Sequence, residues 1–246
     1  MRQRVKIDEG AITMRIFPIK AFFDNYIWVI LEQEKVIVVD PGESSGVLTY
    51  LEENAIKEVT ILLTHKHDDH VGGVEAIVTQ YPKTIVYGPE ETQEFNDQTI
   101  YSGDVFELNG NNFEVFDTPG HTEGHISYLM DEHLFCGDAL FSAGCGRVFT
   151  GDYQAQYNTL QKFAKLPKTV KVYAAHEYTL TNLEFAQSVE PENQVIGEAL
   201  EEVRKKRKKD QSTLPSTIGR EHEINLFLRA DTVEEFTRLR KLRDNF

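Results

Sequence analysis

Short apolar runs, separated by turn-forming residues, dominate most of the chain and predict β-strands. Two of these runs are joined across Glu32-Gln33-Glu34 and predict a hairpin. Asn109-Gly110, a strong two-residue hairpin turn, joins two others. The predicted strands cover residues 14–18, 26–31, 35–40, 59–63, 84–87, 105–108, 113–117, 127–130, 134–136 and 170–175.

Helical periodicity flanks these strands and replaces them towards the C-terminus. Ser44 is a residue type that caps helices, and it opens the first helical pattern. After His176 only helical patterns remain. The predicted helices cover residues 44–54, 71–80, 153–165, 182–187, 193–209 and 232–243.

The order of these elements predicts two β-sheets packed together with helices outside, an α/β (α+β) fold. The change to helices alone places a domain boundary near Thr179. We therefore expect a strand-containing domain over residues 1–178 and a small all-helical domain over residues 179–246. A chain of 246 residues is long enough for both.

Composition narrows the class of protein further. Apolar residues make up 40% of the chain, as in soluble globular proteins, and no apolar run approaches the ~20 residues that span a bilayer. The basic N-terminus leads into Asp8-Glu9-Gly10 and predicts no secretory signal, with Met14 as an alternative start. The two cysteines, Cys136 and Cys145, exclude a disulfide framework and favour free thiols in the cytoplasm.

The net charge of −14 argues against nucleic acid as a partner. This charge is unevenly distributed. Residues 201–246 contain 12 Lys and Arg against 9 Asp and Glu, whereas residues 1–200 contain 14 against 31. A basic C-terminal region on an acidic body suggests a module with its own electrostatic task. Its run of six cations at 204–209 is interpreted as the solvated end of a helix.

The densest cluster of reactive side chains is Thr64-His65-Lys66-His67-Asp68-Asp69-His70, directly after an apolar run. Imidazoles and carboxylates are metal ligands, and their position at the end of a buried strand is typical of a binding site. The spacing predicts that His65 and His67 point to one side and share one cation. Asp69 and His70 begin a helical turn and could reach a second cation. A surface loop that happens to be rich in histidine is the alternative, and the spacing argues against it.

Three further residues of ligand type follow predicted strands downstream, namely His121, Asp138 and His176. Each alone has an ordinary explanation as a loop residue, but together they complete two sets. Asp138 could bridge the two cations, which would lower the pKa of a shared water and make it the nucleophile. The first set is His65, His67 and His121, and the second is Asp69, His70 and His176.

The cluster at 64–70 resembles the metal-binding motif of the metallo-β-lactamase superfamily. The stretches at 118–125, 137–138 and 175–179 together resemble one family within it, glyoxalase II or hydroxyacylglutathione hydrolase. The family-level resemblance depends on Gly144-Cys145-Gly146-Arg147, on His176-Glu177-Tyr178-Thr179 and on the helical tail, and it covers residues 24–246.

This resemblance implies an αββα sandwich with a small helical domain that binds glutathione. It also implies the reaction, the hydrolysis of S-D-lactoylglutathione to D-lactate and glutathione in methylglyoxal detoxification. The enzyme would be a binuclear metal-dependent thioester hydrolase in which Asp69 and Asp138 position the attacking hydroxide. We expect a monomer whose partner is this small-molecule glutathione thioester, with neither nucleic acid nor membrane as a partner.

The resemblance further implies the cofactors and the substrate contacts. Two divalent metal ions are expected, zinc first, with iron or manganese as alternatives because mixed nitrogen and oxygen ligands suit all three. Glutathione carries two carboxylates and needs cationic and hydrogen-bonding anchors. By the family pattern these anchors are Arg147, Tyr178, Arg240 and Arg243.

The chain departs from the family pattern at a few positions. Lys66 and Asp68 occupy variable positions of the motif, and the spacing selects Asp69 as the ligand. Phe149 stands where some relatives have a tyrosine that binds glutathione, so that hydroxyl is missing. His125 is interpreted as support for the ligand loop, and Cys145 as structural.

Three other functions fit parts of this pattern. A broad-specificity metallo-hydrolase, either another thioesterase or a lactamase-like enzyme, is the main alternative. A metal-bound interaction module without catalysis conflicts with seven intact ligands. A diiron redox protein of the same fold would want a flavin-binding partner domain, for which a chain of this length has no room.

Overall fold

The computed structural model describes residues 14–246. The N-terminal segment for which no secretory signal is predicted lies outside the described residues. None of the helices between residues 14 and 246 has the length and apolar character to cross a membrane.

The first β-sheet has six strands. They are β1 (Arg15–Ala21), β2 (Asn25–Glu32), β3 (Lys35–Val39), β4 (Glu58–Leu62), β5 (Ile85–Gly88) and β6 (Gln98–Thr99), in that spatial order. The first three strands are antiparallel neighbours, and β3 to β6 run parallel. Val39 pairs with Leu62, so the carboxyl ends of β3 and β4 meet at one edge of the sheet.

The second β-sheet also has six strands. They are β7 (Val105–Leu108), β8 (Asn111–Asp117), β9 (Ile126–Met130), β10 (His133–Gly137), β11 (Lys171–Ala174) and β12 (Ser216–Thr217). The spatial order is β12-β11-β10-β9-β8-β7, and only the β10–β11 pair is parallel.

Nine α-helices cover the two sheets within the described residues. Four precede residue 170, and the other five follow β11. They are α1 (Ser45–Glu53), α2 (Asp68–Val71), α3 (Val74–Gln80), α4 (Tyr153–Ala164), α5 (Thr179–Val189), α6 (Gln194–Arg207), α7 (Ile218–Ile224), α8 (Leu226–Arg229) and α9 (Val233–Asp244).

The two buried clusters of the core explain why β2 is apolar at nearly every position. Trp28 and Ile30 face the space between the two sheets, whereas Ile27 and Val29 face α1 and α3 on the outside. A strand that is buried on both faces lacks the alternation of a half-exposed strand. The structure therefore confirms the predicted arrangement of two packed sheets with helices outside.

The structure corrects several predicted helices and strands. The single helix predicted over 71–80 is two helices, because Gly72-Gly73 packs against the turn after β3. The backbone N–H of Gly73 donates to Pro41 O, and a Cβ on Gly72 would lie 2.6 Å from Gly42 O. Ser44 is at the N-cap position of α1 but makes no capping bond. Sequence reasoning missed β6, β12, α7 and α8, which are all short.

The C-terminal region is helical, as predicted, except for β12, which pairs with β11 in the second sheet. One buried apolar cluster runs from the space between the sheets into these helices and includes Phe135, Phe163, Phe227 and Phe236. The C-terminal helices thus share the core of the second sheet. The division at residue 179 remains a prediction.

A buried carboxylate, Glu221 of α7, connects the C-terminal helices to the loop after β10 through hydrogen bonds. It is fully buried and accepts hydrogen bonds from Ser142 Oγ at 2.9 Å, Ala143 N at 2.7 Å, Ser216 Oγ at 2.5 Å and Asn225 Nδ2 at 3.0 Å. Burial raises the pKa of Glu221, although these four donors partly offset that effect. The loop that it holds leads directly from Asp138 to the residues that line the site.

We expect Glu221→Ala to lower the free energy of unfolding by about 3 kcal/mol or more, since each buried donor left unpaired costs about 1–3 kcal/mol. Urea denaturation measures this loss. Glu223→Ala is the matched control, because Glu223 lies on the same helix in an exposed ion pair with Arg220. Such a pair contributes about 0–1 kcal/mol. Equal losses in the two variants would contradict the role of Glu221.

Candidate metal centre

The ionisable residues of the candidate site lie where strands of both sheets end. The motif residues follow β4, Asp138 follows β10, and His176 follows β11. His121 lies in the loop between β8 and β9. Gly137 has φ +47°, and a Cβ there would lie 2.4 Å from Thr64 Oγ1, so only glycine lets these strand ends approach so closely.

The first group of donor atoms consists of three imidazole nitrogens. His67 Nδ1 lies 3.1 Å from His65 Nε2 and 3.0 Å from His121 Nε2. A proton on one nitrogen can be shared with one neighbour at a time, whereas a tetrahedral cation at the centre accepts all three lone pairs. The geometry of this group therefore suits a metal ion.

The second group combines one carboxylate with two imidazoles. Asp69 Oδ2 lies 3.3 Å from His176 Nε2 and 3.6 Å from His70 Nε2. The ligand atoms within each of the two groups lie within 4.8 Å of one another. The structure thus brings together the same two sets of residues that the sequence predicts.

Asp138 lies between the two groups. Its Oδ1 is 3.4 Å from both His70 Nε2 and His176 Nε2, and its Oδ2 is 3.3 Å from His121 Nε2. One carboxylate therefore faces both groups with different oxygens. This is the arrangement that a bridging ligand needs.

Two ligand atoms of this cluster, His70 Nε2 and Asp138 Oδ1, are buried and lack a hydrogen-bond partner among residues 14–246. Buried polar atoms are otherwise almost always paired, and a bound ion is one explanation of an exception. The mixed nitrogen and oxygen donors fit a divalent transition metal. The residues present therefore fit two cations.

A third cluster, Asp40 with His65 and His70, has similar spacing but does not suit a cation. Both oxygens of Asp40 already accept hydrogen bonds, from Thr64 N at 2.8 Å, Thr64 Oγ1 at 2.7 Å and His70 Nδ1 at 3.0 Å. Asp40 therefore orients His70, which donates with the nitrogen that faces away from Asp138.

The electrostatics of the cluster favour positive charge beside Asp138. Burial opposes charge on His70, but Asp138 and Asp40 raise the pKa of that imidazole to about 10. Burial opposes charge on Asp138 as well, yet His176 and His70 hold its pKa well below the usual range. Burial lowers the pKa of His65. Divalent cations can replace the protons that the second group would otherwise carry.

The remaining residues of the motif take supporting positions. His125 stacks on His65 with ring centroids 4.8 Å apart and accepts a hydrogen bond from Asp138 N at 3.2 Å. It thus lies where the sequence predicts a supporting role. Asp68 belongs to neither donor group, whereas Asp69 belongs to the second.

A cavity of about 550 Å³ opens beside the two groups, and its lining includes all four predicted substrate-binding residues. Tyr178 stacks on His176, with ring centroids 4.7 Å apart and planes 7° apart. Arg147 is largely exposed and pairs with Asp244 at 3.3 Å. Phe149 is also exposed, and its ring makes edge-to-face contacts with the rings of His67 and His121.

Two arginines of α9 differ in burial and in the number of protein groups that their guanidinium groups already contact. Arg240 is only 5% exposed and donates to Cys145 O at 2.7 Å and Asp244 Oδ1 at 3.0 Å. Arg243 is half-buried and donates to Asn182 Oδ1 at 3.3 Å. Within residues 14–246, no carboxylate oxygen lies within 4 Å of its guanidinium. Arg243 is therefore the better placed of the two to receive an anion.

Sequence reasoning missed the residues that surround the ligands. Asp24 accepts from His176 Nδ1 at 2.8 Å, Asn25 donates to Asp69 Oδ2 at 3.0 Å, and Asp244 joins Arg147 to Arg240. Asp40 directly follows β3, which is the signal that also marks the ligands, whereas Asp24 directly precedes β2. Nothing in the chain order pairs them with particular histidines, because their partners are at least 30 residues away.

Comparison with known families agrees with this site. The sequence model of the metallo-beta-lactamase superfamily matches residues 21–176. The fold, the paired donor groups and this match show that the chain belongs to that superfamily and support a binuclear metal site. A second model, described as the hydroxyacylglutathione hydrolase C-terminus, matches residues 177–246.

Relatives over the full chain define the family more narrowly. Hydroxyacylglutathione hydrolase of Glaesserella parasuis serovar 5 (strain SH0165) is 49% identical over 95% of this chain and 100% of its own length. The enzyme of the same name from Haemophilus ducreyi (strain 35000HP / ATCC 700724) is 48% identical with the same coverage. The chain therefore belongs to the hydroxyacylglutathione hydrolase family.

Solved structures share the fold at lower identity. ETHE1 from Myxococcus xanthus has a TM-score of 0.71 and 22% identity, and the match covers 93% of this chain and 90% of ETHE1. TTHA1623, solved in a di-iron-bound form, has a TM-score of 0.62 and 22% identity, with coverage of 86% and 99%. At these identities the likeness extends to the fold alone.

We expect Asp69→Asn to lower the number of metal ions bound per chain, because Asp69 supplies the only carboxylate that belongs to the second donor group alone. Asp68→Asn is the matched control, with the same change of charge one residue away, and should retain nearly the parent's metal content. Metal analysis of the purified variants measures both. The reverse result would show that Asp68 is the ligand.

Proposed function

We propose that this protein hydrolyses S-2-hydroxyacylglutathione thioesters, S-D-lactoylglutathione in particular, to D-lactate and glutathione. This reaction is the second step of methylglyoxal detoxification. The observation that carries the proposal is one cavity with two kinds of lining. Residues of both metal-donor groups line it, and so do the cationic and aromatic side chains of Arg147, Tyr178, Arg240 and Arg243.

Two divalent cations suit the donor sets, zinc first, with iron or manganese as alternatives. His65, His67 and His121 would hold one, Asp69, His70 and His176 the other, and Asp138 both. When bound, the cations supply a water of lowered pKa and polarise the thioester carbonyl.

The chain's own carboxylates would orient the attacking water. Asp69 Oδ2 lies 3.3 Å and Asp138 Oδ1 lies 3.4 Å from His176 Nε2, and both residues line the cavity. Both carboxylates are ionised at neutral pH, since neighbouring imidazoles hold the pKa of each below its usual range despite burial. They can therefore accept hydrogen bonds from the water and hold it for attack. A thiolate leaves readily, so no separate strong acid is required.

The C-terminal region would bind the glutathione part of the substrate. The guanidinium of Arg243 can receive a glutathione carboxylate, and Arg147 lines the same cavity. Tyr178 offers a phenol beside His176 and so could bind a group near the thioester. The guanidinium of Arg240 already donates to Cys145 O and pairs with Asp244. A direct contact between Arg240 and glutathione therefore remains a prediction.

The broad-specificity alternative is not favoured. Full-length relatives at 44–49% identity carry the name hydroxyacylglutathione hydrolase, and the C-terminal model of that family matches residues 177–246. The monomeric state, the cytoplasmic location and the absence of nucleic-acid and membrane partners remain predictions from composition and charge.

Replacing the shared ligand tests the proposed reaction. We expect Asp138→Ala to lose both metal content and hydrolysis of S-D-lactoylglutathione, because the bridging carboxylate and a water-orienting group disappear together. Thioesterase assays and metal analysis of the same sample measure this. The parent should prefer glutathione thioesters to coenzyme A thioesters and β-lactams. Equal kcat/KM for all three substrates would contradict a dedicated glutathione site.

The carboxylate anchor is tested on α9. We expect Arg243→Ala to raise KM about ten- to hundredfold with little change in kcat. The lost charge-assisted bond is remote from the thioester and contributes about equally to ground and transition states. Steady-state kinetics at low salt measure this. Arg238→Ala, an exposed arginine of the same helix, is the control and should keep the parent KM. An unchanged KM in Arg243→Ala would exclude this anchor.

A further inference from the structure

Three consecutive side chains at the start of β2 reach the second donor group or the residue beside it. Asp24 Oδ1 lies 2.8 Å from His176 Nδ1, and Asn25 Nδ2 donates to Asp69 Oδ2 at 3.0 Å. Tyr26 OH donates to Glu177 Oε2 at 2.9 Å. This segment thus touches two of the three ligands of the second group.

The backbone holds this segment in place independently of those side chains. Tyr26 N donates to Ala175 O at 2.7 Å, and Glu177 N donates to Asp24 O at 2.9 Å. The seven residue pairs of β1 and β2 fix the hairpin from the other side. Because the main chain is already anchored, the side chains of Asp24 and Asn25 are available for another task.

The first donor group has neutral supporting partners instead. His65 Nδ1 faces the hydroxyl of Thr64 at 3.0 Å, and His121 Nδ1 donates to the carbonyl of Arg147 at 2.8 Å. In the second group, both imidazoles donate to carboxylates, His176 to Asp24 and His70 to Asp40. The two cation positions are therefore supported by partners of different charge.

A carboxylate that accepts the Nδ1–H of an imidazole fixes its tautomer, directs the Nε2 lone pair at the metal and makes the ring a stronger ligand. His176 Nε2 does face Asp69 and Asp138. The amide of Asn25 donates to the same Asp69 oxygen that faces His176 and His70. It therefore holds that carboxylate in its ligating orientation.

We propose that Asp24 and Asn25 are positioning residues that serve the second cation position and not the first. This inference rests on the two-cation site of the proposed function. It predicts that loss of either side chain weakens one cation selectively, whereas a general loosening of the site would weaken both.

The test first impairs one donor group at a time, so that the effect of removing Asp24 can be measured on each cation position. His67→Ala impairs the first donor group, and Asp69→Ala impairs the second. Asp24→Ala is then added to each variant. The zinc-loaded full-length proteins are dialysed against rising concentrations of a chelator, and the zinc retained per chain is counted.

In the His67→Ala background, we expect Asp24→Ala to reduce the affinity for the remaining zinc about 10- to 100-fold, the usual effect of removing such a partner. In the Asp69→Ala background, the same change should shift it by no more than about twofold, because Asp24 contacts His176 and no ligand of the first group. Asn25→Ala should show the same selectivity. Equal shifts in both backgrounds, or none in either, would overturn the inference.

A control residue that bonds to the turn between β1 and β2 distinguishes loss of the Asp24 contact from disorder of that turn. Glu43 Oε1 accepts a hydrogen bond from Phe22 N at 3.1 Å and touches neither donor group. Glu43→Ala should leave zinc retention unchanged, and a loss equal to that of Asp24→Ala would overturn the inference. Asp24→Asn keeps an acceptor oxygen and should lose less affinity than Asp24→Ala. Thermal unfolding of each variant verifies that it is folded.

The same experiment distinguishes failure of the two-cation site, on which the proposed function depends, from failure of the positioning role. If His67→Ala and Asp69→Ala each retain as much zinc as the parent, the two-cation site is wrong, and this inference falls with it. If each loses one zinc ion and Asp24→Ala changes neither, only the positioning role of Asp24 is overturned.

Discussion

The structure depends on the burial of imidazoles and carboxylates at one edge of two packed sheets. His65, His70 and Asp138 are nearly inaccessible to water, and some of their ligand atoms have no hydrogen-bond partner within the described residues. Burying so many ionisable groups is costly unless their charges are compensated. A cation in each donor group would compensate the carboxylates and use the free lone pairs, so metal binding and the stability of this edge are coupled.

That constraint accounts for features away from the ligands themselves. Gly137 allows the end of β10 to approach Thr64, and the break at Gly72-Gly73 lets the motif helix pack against the turn after β3. Asp40 connects the end of β4 to His70 through three hydrogen bonds. Each feature shortens the distance between strand ends that must share ligands.

The C-terminal helices contribute Asn182, Arg240 and Arg243 to the lining of the cavity. The loop after Asp138 is held by Glu221 from α7, and its residue Arg147 meets Asp244 of α9. The same loop therefore connects the metal ligands to the side chains that would bind glutathione. Because the helices share the core of the second sheet, the placement of these anchors depends on the same packing as the strands.

The sequence by itself determined the two-sheet architecture, the long helices and the six residues of the two donor groups, with Asp138 between them. These features are local, because apolar periodicity and ligands at strand ends can be read within a few residues. It also indicated the family, through motifs of unusual composition. Only the tertiary structure decided that Arg240 is buried against Cys145 O, that Asp24 supports His176 and that β12 joins the second sheet. Those contacts join residues distant in the chain, and no local pattern specifies which partners folding will bring together.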